Sequence, residues 1–340
     1  MSADKSAASR SEAAAELSTI PARRAFFGVR PPRGRHESRA PSALPLPDAK
    51  RPEALAAAAA GVTVVLWASA FVGIRAAGDD FSPGALALGR LTVAAIVLGL
   101  IVVVRREPLP RARDLPLVAL SGLLWLGAYS VLLNAAERRV DAGTAAMLVN
   151  VGPILIALLA GFLLGEGYPR ALFAGCGIAF AGVVVIATAT SNGGGAGGLG
   201  VAFCLLAALG YAGGVVAQKV ALRRVSSLQT IFLSCVAAAV ACAWAAPSLL
   251  RGAENASAAN AAWVVYLGLF PTAIGFVTWA YALSRTSAGR LASVTYLVPA
   301  ISILLGWAFL AETPPGLAFL GGAVCVLGVA VARRRPPVSR

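Results

Sequence analysis

The sequence predicts an all-α integral membrane protein with ten transmembrane helices in two inverted five-helix repeats. Of its 340 residues, 58% are hydrophobic and 13% are charged, whereas roughly a quarter of the residues in a soluble domain are charged. Apolar runs of about 20 residues follow one another, each long enough to cross a hydrocarbon core of about 30 Å. Part of the first half returns in the second half at constant spacing, which indicates a duplicated unit.

The duplication is clearest in NVGPILIALLAGFLLGEGYP, which begins at Asn150, and YLVPAISILLGWAFLAETPP, which begins at Tyr296. The matching positions, each 146 residues apart, are Pro153 and Pro299, Glu166 and Glu312, Gly175 and Gly321, Gly182 and Gly328, and Ala142-Gly143 and Ala288-Gly289. A constant offset without gaps is not expected from composition alone, so we interpret the two halves as copies of one unit.

The chain divides into five parts. Residues 1–53 have no apolar period and are predicted to form a disordered cytoplasmic tail. Residues 54–190 and 198–332 are the two repeats, residues 191–197 are a Gly-rich linker, and residues 333–340 are a basic cytoplasmic tail. The predicted spans are Ala54–Ile74, Gly84–Val104, Leu115–Ala135, Ala142–Gly165, Ala171–Thr190, Gly198–Ala221, Leu228–Leu250, Ala261–Leu283, Leu291–Ala311 and Gly316–Ala332.

The placement of basic residues predicts the orientation. Of the 29 Lys and Arg residues, 24 fall on the side of the N-terminal tail, 4 fall on the other side, and Arg90 lies inside a span. The positive-inside rule therefore places both termini in the cytoplasm of a multi-pass plasma or inner membrane protein. This distribution argues against nucleic-acid binding. An odd number of helices per repeat inverts the second copy, a common plan of secondary transporters.

Several local patterns lie at fixed places in the predicted helices. The first helix contains WASAFVGIR from Trp67, and the sixth contains YAGGVVAQK from Tyr211, at an offset of 144. Arg90 stands early in the second helix, and the fourth and ninth helices share the pattern P-x(12)-E. Together these patterns resemble the EamA family of the drug/metabolite transporter superfamily, over about residues 54–332. The family pattern more often has Asn where this chain has Ala70.

The resemblance implies inverted five-helix repeats, export or uptake of small metabolites, and a pathway between the repeats lined by helices one to four and six to nine. Near Pro153 and Pro299, each helix should break and free a backbone carbonyl at membrane depth. Asn150 and Tyr296 stand three residues earlier, so we expect both to contact the substrate, with Trp67 and Tyr211 closing the pathway. The alternative for Asn150 and Tyr296 is an interhelical hydrogen bond.

Three charged residues are further candidates. Arg90 is predicted either to bind an anionic group of the substrate or to extend its side chain to the outer headgroups. Glu166 and Glu312 stand at helix C-termini, where the helix dipole disfavours a carboxylate. Each is predicted either to bond the N-terminus of the helix after Pro169 or Pro315, or to couple transport to protons.

The predicted function is secondary transport of a small metabolite, such as an amino acid, an amine or a drug-like solute, by alternating access and in the export direction. The alternatives are a non-transporting scaffold or sensor, and an intramembrane enzyme, which the absence of His and Asp from the predicted spans disfavours. No cofactor or metal is expected, because the single His36 is in the tail and the five Cys lie in apolar runs. The paired glycines favour close helix packing, within the fold or in a homodimer.

The charge distribution generates a test of topology. A reporter that is active only outside the cytoplasm should be active when fused at Gly195 and inactive when fused at Arg113. A fluorescent reporter that folds only in the cytoplasm should give the opposite result at the two positions. Cytoplasmic activity at Gly195 would contradict the inverted arrangement.

Overall fold

Helices account for nearly all of the chain that the computed structural model describes, namely residues 50–78, 80–137, 139, 148–190, 198–310, 316–332 and 334. The expectations for residues 1–49, for the linker at 191–197 and for Glu312 lie outside the described residues. Ser82 begins the second helix by accepting a hydrogen bond from the Ala85 amide at 3.3 Å, with Pro83 as the first helical residue, a position where its missing N–H costs nothing.

The first repeat contains two continuous long helices, one interrupted helix and two shorter ones. These are α1 Lys50–Ala77, α2 Pro83–Val104, α3a Leu115–Ser121 and α3b Tyr129–Glu137, α4 Gly152–Leu164, and α5 Arg170–Thr190. Between α3a and α3b the chain forms a π-helical segment, Gly122–Ala128. Such segments are often found at functional sites because they displace backbone groups from the regular ladder.

The second repeat contains the same kinds of element. These are α6 Gly198–Ala221, α7a Ser227–Ala241 and α7b Ala246–Asn255, α8a Ala258–Leu267 and α8b Gly275–Arg285, α9a Ala288–Val294 and α9b Leu297–Leu310, and α10 Gly316–Ala332. The predicted span Leu228–Leu250 is divided between two helices. The helix axis bends by 56° after Ala241, where a 3-10 turn precedes Pro247 in the first turn of α7b. Proline has no N–H and a fixed φ, so it begins a new helix here.

Five helical stretches in the described part of the chain are long and apolar enough to cross a membrane, or six if the bent pair is one span. They are Glu53–Ile74, Pro83–Val104, Ala112–Ala136, Gly198–Ala221 and Ala258–Arg285, with Ser227–Ala241 plus Ala243–Asn255 as the bent pair. Shorter apolar helices occur at Gly152–Leu164, Arg170–Ile186 and Phe319–Ala332. The chain is thus an all-helical membrane protein, and the number of ten spans stays a prediction.

The duplication extends to irregular features of the backbone. The π-helical segment Gly268–Ile274 lies 146 residues after Gly122–Ala128, which is the offset found in the sequence. Likewise Ser226 caps α7a by accepting from the Gln229 amide at 3.2 Å, which reproduces the cap of α2 at an offset of 144. A shared π-helical segment and a shared cap indicate that the two halves have the same local fold.

The first helix of each repeat packs against the equivalent two helices of the other repeat. Helix α1 contacts α8 and α9 of the second repeat, and α6 contacts α3 and α4 of the first. A Cβ on Gly122 would lie 2.4 Å from the Ser234 carbonyl oxygen, and one on Gly268 would lie 2.9 Å from that of Arg90. Glycine therefore permits α3 to approach α7 and α8 to approach α2 at backbone distance.

Helices α5 and α10 form the closest pair. A Cβ on Gly175 would lie 2.3 Å from the Ala332 amide nitrogen, and one on Gly328 would lie 2.3 Å from that of Ala179. A Cβ on Gly182 would lie 2.6 Å from the Gly321 carbonyl oxygen. The predicted glycine packing is confirmed, and it lies within the fold.

This contact predicts a difference between two neighbouring glycines of α5. Gly175→Ala should destabilise the protein by about 1–3 kcal/mol, because the added methyl overfills the contact with α10. Gly177 is the matched control, since a Cβ there meets nothing within 4 Å; Gly177→Ala should be neutral or stabilising by up to about 1 kcal/mol. Thermal unfolding in detergent measures both, and equal unfolding temperatures for the two variants would contradict the packing.

Candidate functional site

A cluster of six aromatic side chains lies where the two repeats meet. Trp125 is its centre, with ring centroids 5.7 Å from Trp67, 5.1 Å from Tyr211, 4.8 Å from Phe276 and 5.5 Å from Trp279. Tyr129 extends the cluster, 5.8 Å from Tyr211. Aromatic groups at such separations stabilise one another through edge-to-face and offset contacts. The site therefore combines side chains from α1, α3, α6 and α8.

The π-helical segment of α8 positions Trp67. Its indole Nε1 donates to the Pro271 carbonyl oxygen at 3.2 Å, and its ring lies over Gly275, where a Cβ would come within 3.1 Å of Nε1. Nearby, the Thr63 hydroxyl lies 2.8 Å from that of Thr278. Bonds from α1 therefore fix the aromatic cluster against the irregular backbone of α8.

Tyr211 connects the aromatic cluster to the beginning of α4. Its ring lies against Gly152, where a Cβ would meet Cδ1 at 2.6 Å, so the residue before Pro153 must be small. Asn150 is half-buried at the turn just before α4. The enclosed Tyr211 hydroxyl lies beside the side chain of Thr295, in the turn before α9b. The structure thus brings Trp67 and Tyr211 into one cluster, next to the α4 turn.

Tyr296 lies in a different cluster from Trp67 and Tyr211. It is 0% exposed and packs with buried residues of α5 and α10, among them Cys176 and Cys325. The Tyr296 hydroxyl has no hydrogen-bond partner in the described part of the chain. Asn150 and Tyr296 are equivalent in the repeat, but the structure surrounds Tyr296 with a separate apolar core.

The predicted breaks in helices four and nine are present, but proline is not in the middle of a helix. Pro153 lies in the first turn of α4 and Pro299 in the first turn of α9b, after turns at residues 150–151 and 295–296. At these positions proline has no intrahelical N–H to lose. The prolines therefore begin half-helices, and α9a ends before Tyr296.

Arg90 faces the protein interior from α2. Its Nε donates to the Thr272 hydroxyl at 2.9 Å, and that hydroxyl donates to the Leu267 carbonyl at 2.7 Å. Thr272 is buried, with 1% exposure, in the π-helical segment of α8. Of the two predicted alternatives for Arg90, this contact disfavours extension to the headgroups, because the guanidinium is bonded to the opposite repeat.

Glu166 bonds the N-terminus of a helix, although not the helix that follows Pro169. Its carboxylate accepts from the Ala288 amide at 2.8 Å and from the Gly289 amide at 3.3 Å, both at the beginning of α9a. Gly165 ends α4 in the left-handed conformation, with φ 68°, so the chain turns before Glu166. The partner was not evident from the sequence because it lies 122 residues away in the other repeat.

Lys219, from the second repeat itself, binds the same part of the chain. Its ammonium donates to the carbonyl oxygens of Leu283 and Thr286, at the end of α8b. A cation at a helix C-terminus and a carboxylate at a helix N-terminus both complement the helix dipole. The short connection between α8b and α9a is therefore bound at one end by Lys219 and at the other by Glu166.

Sequence reasoning did not identify Trp125, Phe276, Trp279 or Thr272 as site residues. Trp125 has proline at its equivalent position, Pro271, so the repeat itself gave no signal for it. The available signal was that Gly122 and Gly268 match at the 146-residue offset and stand beside these residues. No group of His, Cys, Asp and Glu able to bind a metal occurs within the residues that the structure describes.

These features define a multi-pass, all-helical membrane protein whose halves share one fold around a central aromatic cluster. The family model described as "EamA-like transporter family" matches twice, over residues 54–188 and 198–334. The chain belongs to this family of membrane transporters. Each repeat of the sequence corresponds to one copy of the family domain.

Two relatives cover most of the chain. One, from Streptantibioticus cattleyicolor, is described as "Probable terminal-alkyne amino-acid exporter" and is 40% identical over 275 residues, which is 81% of this chain and 92% of the relative. The other is "Uncharacterized transporter YdfC" of Bacillus subtilis, 33% identical over 78% of this chain and 86% of its own. A solved structure described as "Crystal structure of protein" has a TM-score of 0.68 over 82% of this chain and 96% of its own, at 24% identity, and supports the fold.

The Glu166 contact generates a prediction about stability. Glu166→Ala should destabilise the protein by about 1–3 kcal/mol, because two amides at the beginning of α9a lose a charged acceptor. Glu166→Gln should cost less, because its carbonyl oxygen can still accept one bond. Glu254→Gln is the control, since Glu254 is an exposed side chain. Thermal unfolding in detergent should rank the proteins in this order; an Ala variant as stable as wild type would show that the contact contributes nothing.

Proposed function

We propose that the protein is a secondary transporter that exports a small organic solute across the plasma or inner membrane by alternating access. The observation that carries this proposal is the aromatic cluster, which takes side chains from both repeats at their junction. A site at the junction of two repeats can be exposed to either side when one repeat rocks against the other. The family supports transport, and export follows the name of one relative.

The proposal includes ten spans in inverted repeats, with both termini in the cytoplasm. The exchange of packing partners supports a pseudo-two-fold relation, because α1 meets α8 and α9 just as α6 meets α3 and α4. Five helices in each copy make that relation an inversion. The excess of Lys and Arg on the side of the tails supports the orientation.

We place the pathway between the repeats, with Trp67 and Tyr211 closing it and Asn150 and Tyr296 contacting the solute. The contact between Tyr211 and Gly152 supports this placement for the α4 turn, because it joins the aromatic cluster to the half-helix that starts there. The buried hydroxyl of Tyr296, which has no partner among the described residues, supports a polar role, since such a hydroxyl costs about 1–3 kcal/mol. An amino acid is the first substrate to test, because one relative is described as a probable amino-acid exporter.

The experiment is counterflow into liposomes containing the purified protein, with a panel of amino acids, amines and other small metabolites. Trp67→Ala, Tyr211→Ala and Asn150→Ala should each reduce transport at least about tenfold, equivalent to roughly 1.4 kcal/mol. Tyr296→Phe, which removes only the buried hydroxyl, tests Tyr296 without emptying the α5–α10 core.

Phe162→Ala is the matched control, because Phe162 is 78% exposed on α4 and should tolerate truncation with normal transport. All variants should reach wild-type levels in the membrane. Normal transport by the Trp67 and Tyr211 variants would place the pathway elsewhere. Absence of counterflow for every solute in the panel would count against transport itself.

A further inference from the structure

Arg90 places a cation inside the protein. It is the eighth residue of α2, about 10 Å along the helix axis from Pro83. A charged side chain at such a depth costs at least about 2.5 kcal/mol on insertion scales, and it usually pairs or marks a substrate pathway. Within the described ranges, the salt bridges found involve Asp114 and none involves Arg90. The membrane cost of Arg90 is therefore not offset by a described carboxylate.

The guanidinium is fixed through one of its three nitrogens. Nε is held by Thr272, whereas the two terminal nitrogens donate to no described residue. These nitrogens are not among the fully enclosed polar atoms, and Arg90 as a whole is half-buried. A planar guanidinium with both terminal nitrogens available can bind a carboxylate through two parallel hydrogen bonds.

The repeat shows that the fold itself does not require this charge. The equivalent of Arg90, at the offset of 144 that relates the caps of α2 and α7a, is Ser234. Ser234 donates to the Val118 carbonyl oxygen at 3.0 Å and is fully buried. The second repeat therefore has a buried neutral side chain at this position, and the first repeat has a cation.

Arg90 lies near the aromatic cluster. Tyr129 is close enough to Arg90 to interact with it electrostatically, and the ring of Tyr129 lies 5.8 Å from that of Tyr211. Beyond Tyr211 are the indoles of Trp125 and Trp67. A positive charge and a group of aromatic rings thus lie near each other at the junction of the repeats.

We propose that Arg90 binds the α-carboxylate of an amino acid whose apolar side chain packs against the indoles of the aromatic cluster. Thr272 is the positioning residue that orients the guanidinium. This inference rests on the proposed transport function and names its substrate class. The positive charge of Arg90 accounts for recognition of the carboxylate, and the indoles beyond Tyr129 and Tyr211 account for preference for an apolar side chain.

The test uses the full-length protein and three probes: L-norvaline, its methyl ester and sodium chloride. L-Norvaline should raise the unfolding temperature in detergent, and the methyl ester should bind at least about tenfold more weakly because it lacks the carboxylate charge. Arg90→Gln should reduce this preference to less than about twofold. Arg223→Gln, at an exposed arginine in the connection after α6, should retain it.

Thr272 provides a second test with a matched control on the same helix. Thr272→Val should weaken L-norvaline binding about threefold to tenfold with little change for the methyl ester, because Arg90 loses its fixed orientation. Thr278→Val removes a hydroxyl that bonds Thr63 instead and should leave the preference unchanged. Arg90→Lys should restore part of the preference lost in Arg90→Gln, because charge remains but the two-bond geometry does not.

Three outcomes would overturn the proposal. One is a preference for L-norvaline over its ester that persists in Arg90→Gln. Another is stabilisation by chloride that L-norvaline does not displace, which would make Arg90 a counter-ion site. The third is that no probe binds the wild-type protein. Counterflow of a solute without a carboxylate, measured in parallel, would in each case leave the transporter function standing.

Discussion

A backbone group that leaves a regular helix inside the membrane must find its hydrogen-bond partner within the protein, because the hydrocarbon supplies none. This chain departs from regular helix in both copies of the π-helical segment and at the starts of α4 and α9b. At one of these places, and also at the start of α9a, the partner comes from the opposite repeat. Trp67 donates to Pro271, and Glu166 accepts from the amides that begin α9a. Local irregularity is therefore satisfied by the contact that joins the two halves.

The two repeats share their helical scaffold but differ in a few side chains at their junction. The scaffold is duplicated closely, as the caps at Ser82 and Ser226 and the glycines of α5 and α10 show. The chemistry is not duplicated, because Arg90 has Ser234 as its counterpart and Trp125 has Pro271. Because an amino acid has one charged end and one apolar end, it fits a site of this kind better than a symmetric one. Duplication accounts for the shared scaffold, and divergence at a few positions accounts for the chemical difference between the halves.

Much of this architecture follows from the sequence, because membrane helices obey simple rules of length and apolarity. The apolar runs located the helices, and a 146-residue offset located the glycine packing of α5 against α10. The sequence did not reveal the π-helical segments, since GLLWLGA and GLFPTAI share little beyond glycine and leucine. It also did not reveal the partner of Glu166 or the core around Tyr296. Both depend on which faces of distant helices meet, and an apolar run in the membrane lacks the polar face that would indicate it.

The orientation of the Arg90 side chain also depends on how the two repeats pack. Its orientation is set by Thr272, which belongs to the π-helical segment of the other copy. Under the proposed mechanism, one repeat moves against the other, so the distance between Thr272 and the guanidinium changes with the state of the transporter. A substrate carboxylate held by Arg90 then has different affinities in the two states, and only such a difference lets a ligand shift the equilibrium between them. A single hydrogen bond between the repeats thereby connects recognition of the substrate to the movement that releases it.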